Sequence, residues 1–424
     1  MKRFLQLAFI LANTTAMLLF SAWMMAWPYV NEDEQLMIEY GSKLKNILLG
    51  LEEKPDKEDF IFINVAYDKQ LVDKLDTVGF SMGKEAITDR KLLAEFLHVL
   101  AEDTTAFRYV ILDVFLGQHY DADMCRGDTL SPDSLLQASL LRIPNLVMSG
   151  HMDDDNILQR PVFNGNHAVA SYNSVDNKFL KFRLTYNDTI KTVPVVMYEY
   201  LSGSKVEGSA LFGKANGEFF YNSFIPKFRI RQYDLFFAPP EQRYKVDNLT
   251  NILSGAMNAQ EIRDYVRNRI VVIGDFEDRD VHETIYGETG GSLILVNTYL
   301  GLASGDAFIS YTFLAFLFTM YLIISATLVV DMESILKKLP VRIRLNQNMK
   351  EFLGYTVLML ATSAISILIF DQFISILYLT IYLVVLNWLI DHRKQIHRFF
   401  TRTDDLQTEA SSQEREGNAP PSDI

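Results

Sequence analysis

From Ala307 to Val330 the chain carries no charged residue, and the stretch just before it has a different character. Arg269-Ile-Val-Val-Ile-Gly274 is a short β-branched run that reads as a buried strand. An acidic, polar turn from Asp275 to Thr284 follows, and Gly290-Gly291 then opens an apolar segment to about Leu302 that reads as a helix. A run of ~20 apolar residues spans the hydrocarbon core of a bilayer. A water-soluble αβ unit is therefore expected to end almost flush with a membrane span. That junction limits what the rest of the chain can fold into.

A second uncharged run, Phe4 to Trp27, follows Met1-Lys2-Arg3 and ends among Trp23, Trp27 and Tyr29. Tryptophan and tyrosine favour the membrane–water interface. A cleaved signal peptide has an apolar region of only ~7–15 residues and a small-x-small cleavage site. The longer run without such a site predicts an uncleaved anchor over residues 1–30. Phe352 to Phe370 and Phe373 to Ile390 are two more apolar runs, split by Asp371-Gln372. Together they are too long for one crossing and predict a tight hairpin. Asp371 is then either a hydrated hairpin tip or a functional acid inside the membrane. With spans at 307–330 and 352–390, the positive residues Lys2/Arg3, Lys337–Lys350 and Arg393–Arg402 all fall on one side. The positive-inside rule makes that side the cytoplasm, with both termini, the 331–351 loop and the polar 391–424 tail; it puts the soluble region outside.

Within residues 31–303 the pattern alternates. A stalk-like amphipathic helix is expected over 34–51 and a charged linker with Pro55 over 52–59. Strands are expected at Phe60–Ala66, Phe107–Leu116 and Asn145–Ser149. Helices are expected at Asp89–Glu102 and, started by Ser131 before Pro132, at Pro132–Arg142. Such alternation implies an α/β domain with a largely parallel sheet. From 160 to 255 the strand-like segments His167–Tyr172, Phe179–Tyr186 and Glu218–Phe224 are separated by Asn/Asp/Gly turns, with a helix at Val193–Leu201. This reads as an antiparallel extension of the same domain. A helix at Gln260–Val266 leads back to the Ile270 strand, expected to be central.

A net charge of −13 over 424 residues and no basic, aromatic-interleaved patch argue against a nucleic-acid partner. Cys125 is the only cysteine, so no internal disulfide is expected. In a parallel sheet, ligands sit beyond the carboxyl ends of the strands. Asp68, Asp113, Asp275, Asp280 and His282 would collect there, with His119-x-Asp121-x-Asp123 close by. They could hold a divalent cation, but carboxylates capping helices and loop amides fit the same residues. His151-Met-Asp-Asp-Asp155 reads as a solvated loop, and neither segment has calcium-loop or zinc spacing. A nucleophile elbow, a Walker loop and a dinucleotide fingerprint are all missing, so neither catalysis nor a cofactor is expected. Gly287-x-x-Gly290-Gly291 reads as a tight turn or as an anion cradle. Arg90 reads as a structural ion pair or as a contact to an anionic ligand.

Several stretches together resemble the type-two CHASE domain, a sensory extracellular domain associated with bacterial cyclases and histidine kinases. They are Phe60–Leu71 with its acidic turn, Arg90 before a helix, Tyr109-Val-Ile-Leu-Asp-Val-Phe115, and Asp133 with Leu136 and Ala138. To these add Asn268-Arg-Ile-Val-Val-Ile-Gly274, Asp280-x-x-x-Thr284, and Gly291 followed by Val296-Asn297. Their order and spacing carry the likeness over residues 32–303. Tyr67 beside Asp68, where the family has paired acids, and Ile87-Thr88-Asp89 before Arg90, where it has Pro-Trp, depart from it. The resemblance implies signal input at a bacterial inner membrane, with the soluble domain in the periplasm. It suggests Asp68, Arg90, Asp113, Asp280 and Thr284 as ligand-binding residues for an unknown small ligand, without naming a stimulus. Such receptors continue into a cytoplasmic enzyme, whereas only a short basic segment and a polar tail follow here. A separate protein partner is therefore expected to carry the output, and homodimerisation is compatible with the layout. The alternatives are a non-signalling scaffold or accessory subunit of an envelope complex, and an extracytoplasmic enzyme built on Asp68, Asp113 and Asp280.

Overall fold

The structure, a computed structural model, describes residues 2–30, 34–41, 54–75, 80–119, 131–153, 157–171, 174–175, 178–187, 189–255, 257–328, 347–390 and 392. The expected helix at 34–51 is seen over 34–41. Its remainder lies outside the described residues, as do Asp121, Asp123, Cys125, residues 329–346 and nearly all of 391–424. The chain divides into two compact units. One is Ala22–Tyr311, and the other joins Met1–Ser21 to Thr312–Ile424.

The Ala22–Tyr311 unit is built on a seven-stranded, parallel-rich sheet. Its strands run Lys245–Asp247, Phe60–Asn64, Ile270–Gly274, Tyr109–Asp113, Leu146–Met152, all parallel. His167–Val169 adds in parallel and Leu158–Gln159 antiparallel, both on Leu146–Met152. Ile270–Gly274 is central, as its unbroken β-branched run predicts. A central parallel strand is covered on both faces, so both of its residue sets must be apolar. Phe60, Phe62, Tyr109, Ile111, Ile270 and Val272 enter one core with the helices Val193–Ser202 and Gly291–Ala303. Ile61, Ile63, Val110, Leu112, Val271 and Ile273 enter the other with Arg90–Glu102, Pro132–Arg142, Leu249–Leu253 and Ala259–Tyr265. Burying each such side chain stabilises the fold by about 1.5–3 kcal/mol.

The first strand ends at Asn64 rather than Ala66 because the Asn64 side chain accepts the Ala66 N–H at 3.1 Å and turns the chain. The segment expected as one strand at Phe179–Tyr186 is two short pieces, Lys178–Phe179 and Phe182–Arg183. Between them Lys181 is buried in an ion pair with Glu34 at 2.6 Å. The antiparallel extension includes a meander of Val206–Gly208, Phe212–Ala215 and Glu218–Tyr221. A hairpin of Lys69–Leu75 with Ser81–Thr88 is not legible in the sequence, because its Lys, Asp, Glu and Gly residues blur the alternation.

The second unit is helical. Lys2–Ala26 begins in it, followed by Tyr311–Thr327, Gln347–Ile365 with a π turn at Ser366–Phe370, and Ile376–Ile390. Buried polar contacts cross between these helices. Asn13 donates to Ser325 Oγ at 2.8 Å and accepts from Tyr382 Oη at 2.6 Å; Ser21 Oγ lies 2.6 Å from Tyr321 Oη. Asp371 ends the π turn at a φ of 56°. Two of the helices, Arg3–Ala26 and Leu353–Phe370, are long and apolar enough to cross a membrane; Tyr311–Thr327 and Ile376–Ile390 are apolar but shorter.

Asp68 has a structural task. Its carboxylate accepts the Leu249 N–H at 2.7 Å, the Thr250 N–H at 3.2 Å and the Thr250 hydroxyl at 2.5 Å. Asp68 thereby caps the Leu249–Leu253 helix from a distant part of the chain. Asp68→Ala leaves those donors buried without an acceptor, a cost of about 1–3 kcal/mol. Urea denaturation of the purified chain should show a loss of that size.

Candidate functional site

The carboxyl ends of the parallel strands gather a cluster of polar groups. Asp113 closes its strand, and its two carboxylate oxygens accept from Ser149 Oγ at 2.5 Å and Ser292 Oγ at 2.8 Å. Ser149 lies on the neighbouring strand, Ser292 in the first turn of the Gly291–Ala303 helix. Gly274 pairs with Asp113 in the sheet, and a Cβ there would collide with Ser292 Oγ. Glycine at this strand end is what lets the helix reach across to Asp113.

Asp280 arrives from the hairpin Val281–Thr284/Gly287–Gly290. Its carbonyl accepts the Gly291 N–H at 2.7 Å, and its carboxylate lies 2.8 Å from His282 Nε2. A Cβ at Gly291 would run into that carboxylate. Burial pushes the Asp280 carboxyl up to about 6; the hydrogen bond from His282 opposes this, and the nearby Asp113 and Asp275 carboxylates add to it. Asp275 behaves differently. Burial works to raise it too, but the Asp278 N–H and the Lys69 ammonium at 3.0 Å hold it below the usual carboxylate range.

The structure thus brings Asp113 and Asp280 together with Asp275 and His282. The other three suggested ligand residues sit elsewhere. Asp68 caps a helix, as described. The Thr284 hydroxyl is engaged inside its own hairpin turn, donating to the Gly287 carbonyl at 2.8 Å and accepting the Tyr286 N–H at 3.1 Å. Arg90 is buried at the start of its helix with its guanidinium over Phe163, 5.6 Å from the ring centroid. His119 packs on the same ring at 4.9 Å and lies 3.4 Å from Asp133, so Arg90 belongs to a second cluster.

One further reading is corrected, and one left between two alternatives is narrowed. His151 and Met152 are the end of a strand rather than a solvated loop. The His151 ring packs edge-on against Phe115 at 5.0 Å, and burial holds its imidazole below the ordinary value against the pull of Asp113. Asp154 and Asp155 lie outside the described residues. Gly287–Gly290 is the second strand of the hairpin, entered from the turn at 285–286 with Gly287 at a φ of 93°. The Gly290 and Gly291 N–H groups are donated to Gln232 Oε1 and the Asp280 carbonyl, which leaves no anion cradle there.

Sequence reasoning missed Ser149, Ser292 and Lys69. The two serines are ordinary in composition, and only the strand register and the close approach at Gly274 give them a role. Among the described residues, no group of three or more His, Cys, Asp or Glu is placed to hold a metal ion. One carboxylate is fixed by two hydroxyls, a second is held by a lysine, and a third carboxyl titrates near neutrality.

A carboxyl raised above its unfolded value favours folding at low pH and loses that contribution as pH rises through the folded value. Asp280→Asn removes the charge and keeps an acceptor for His282. The variant should melt higher than the parent at about pH 8, with the gain shrinking as the pH falls through about 6. Thermal denaturation across that range checks it, and a difference independent of pH would show that Asp280 is not the titrating group. No protein-family model, curated protein sequence or solved structure matches this chain.

Proposed function

We propose that this chain is a membrane-bound sensor whose α/β unit lies outside the cytoplasm and passes its state through the helical unit to a partner protein. One observation carries the reading: the α/β unit is a single insertion, Ala22–Tyr311, between apolar helices that belong to the other unit. Two chain connections join that insertion to the helical unit, and a ligand-dependent change in it can pass through them. The signal is a difference in ligand affinity between two arrangements of the same chain, and no catalysis is required. The charged cluster at the strand ends supplies a place where such a difference can arise.

The membrane reading extends the two long apolar helices to four crossings, adding Tyr311–Thr327 and Ile376–Ile390. Support comes from the basic residues Lys2/Arg3, Lys337–Lys350 and Arg393–Arg402, which fall on one side under that topology. Interhelical hydrogen bonds such as Asn13–Ser325 and Tyr382–Asn13 suit helices that pack in lipid. The family reading is the type-two CHASE domain of bacterial receptors. Strand ends carrying Asp113 and Asp280 beside a Gly291 helix are in keeping with it. Homodimerisation fits the same layout.

Protease added to intact spheroplasts should cleave within residues 54–306 while sparing Lys337–Lys350 until the membrane is opened. The inverse pattern, or release of the chain by a salt wash, would end the sensor reading. A stable, stoichiometric envelope complex that does not respond to small-molecule extracts would favour a scaffold instead.

A further inference from the structure

The hairpin that carries Asp280 and His282 is tied at its other edge to the segment that follows the first helix. Its strand Val281–Thr284 pairs in parallel with Lys178–Phe179, placing Glu283 beside Lys178. Lys178 Nζ lies 3.8 Å from Glu283 and 3.1 Å from Glu39, on the helix at 34–41. Three residues further on, Lys181 is buried against Glu34 of that helix at 2.6 Å and reaches the Trp27 carbonyl at 3.3 Å. Trp27 directly follows the Lys2–Ala26 helix. Ion pairs of Lys178 and Lys181, with one hydrogen bond to the Trp27 carbonyl, therefore link the site hairpin to the 34–41 helix and to the residue that follows the first apolar helix.

All but one of the elements packed about Asp280 bring a charged or titratable group. Its own hairpin supplies His282 and Glu283. The Tyr109–Asp113 strand supplies Asp113, and the next strand supplies His151, which faces Asp113. The loop after the central strand supplies Asp275, with its Lys69 partner, and the Asp278–Arg279 pair. The first turn of the Gly291–Ala303 helix brings no ionisable side chain, only Ser292 and the backbone. Asp280 as a carboxylate thus faces two other carboxylates. As a neutral carboxyl it loses that repulsion and gains a proton with which to donate.

We propose that the ligand of this sensor is the proton, taken up by Asp280 among Asp113, Asp275 and His282, and that uptake shifts the hairpin and, through Lys178, the 34–41 helix. The proposal rests on the sensor reading above and names its stimulus. Lys178 is the coupling element because it alone among these residues touches both the hairpin and the helix. The buried Lys181–Glu34 pair holds the helix to the segment just after the Lys178–Phe179 strand, since breaking it would strand a charge away from water.

The test uses the full chain in lipid nanodiscs with Cys125→Ser, and spin labels at Leu36 and Glu288, both exposed. Pulsed electron resonance reads the distance between them from about pH 8 to about pH 5, the range in which such switches operate. The parent should change its distance distribution with a midpoint near 6, where Asp280 titrates. Asp280→Asn should hold the low-pH distribution throughout. Gly291→Ala leaves the carboxylate no room in its buried place, so it is displaced and the midpoint should move towards the ordinary carboxyl range. Lys178→Met should flatten the distance change, while adding Asp280→Asn to that chain still produces the pH-dependent melting difference described above. A distance that does not vary with pH in the parent, or an Asp280→Asn chain that titrates like it, overturns the proposal. If the titration fails while the spheroplast pattern holds, the proton assignment alone falls. If the spheroplast pattern inverts, the sensor reading falls whatever the titration gives.

Discussion

Two missing side chains let a helix end approach the carboxyl ends of the central strands, and the polar cluster depends on that approach. At Gly274 any β-carbon would collide with Ser292, and at Gly291 any β-carbon would collide with the Asp280 carboxylate. With both positions bare, Ser292 reaches Asp113 and the Asp280 carbonyl receives the Gly291 N–H. Neither glycine has a positive φ. Space, rather than backbone freedom, is what they provide.

Close approach creates an electrostatic problem that the surroundings resolve unevenly. Three carboxylates near one another repel, and each needs its own compensation. Asp113 has two hydroxyl donors, and Asp275 has a lysine and loop amides. Asp280 has a single imidazole partner and the N-terminal end of a helix, where the aligned peptide dipoles favour negative charge. That compensation is smaller than the repulsion and burial it must offset. Asp280 is therefore raised above the usual carboxylate range, while Asp275 is held below it. The division of labour follows from partners, because the side chains themselves are chemically identical.

The sheet is legible in the sequence wherever both faces are buried. Phe60–Asn64, Tyr109–Asp113 and Ile270–Gly274 are dense apolar runs bounded by polar residues, and the central place of the last follows from its composition. Helix starts are legible from their caps: Asp89 accepts from Lys91 and Leu92, and Ser131 accepts from Ser134. Strands with charged and apolar residues mixed on both faces, such as Lys69–Leu75, are not, because nothing in such a sequence distinguishes them from loop. For the site, the gathering of acids at the strand ends is legible and its membership is not. Asp113 and Asp280 meet, whereas Asp68 and Thr284 serve the backbone and Arg90 lies in another cluster. A carboxylate that caps a helix and one that faces a ligand read alike until their donors are seen.

The Gly291–Ala303 helix is buried on every side from Gly291 to Leu302. An element of this kind has no wet face to trade against a dry one, so rolling about its axis would press each side chain into a pocket shaped for its neighbour. Flexing towards solvent is closed to it for the same reason. The helix is thereby held in one place by its surroundings, with Tyr311–Thr327 the next helix along the chain.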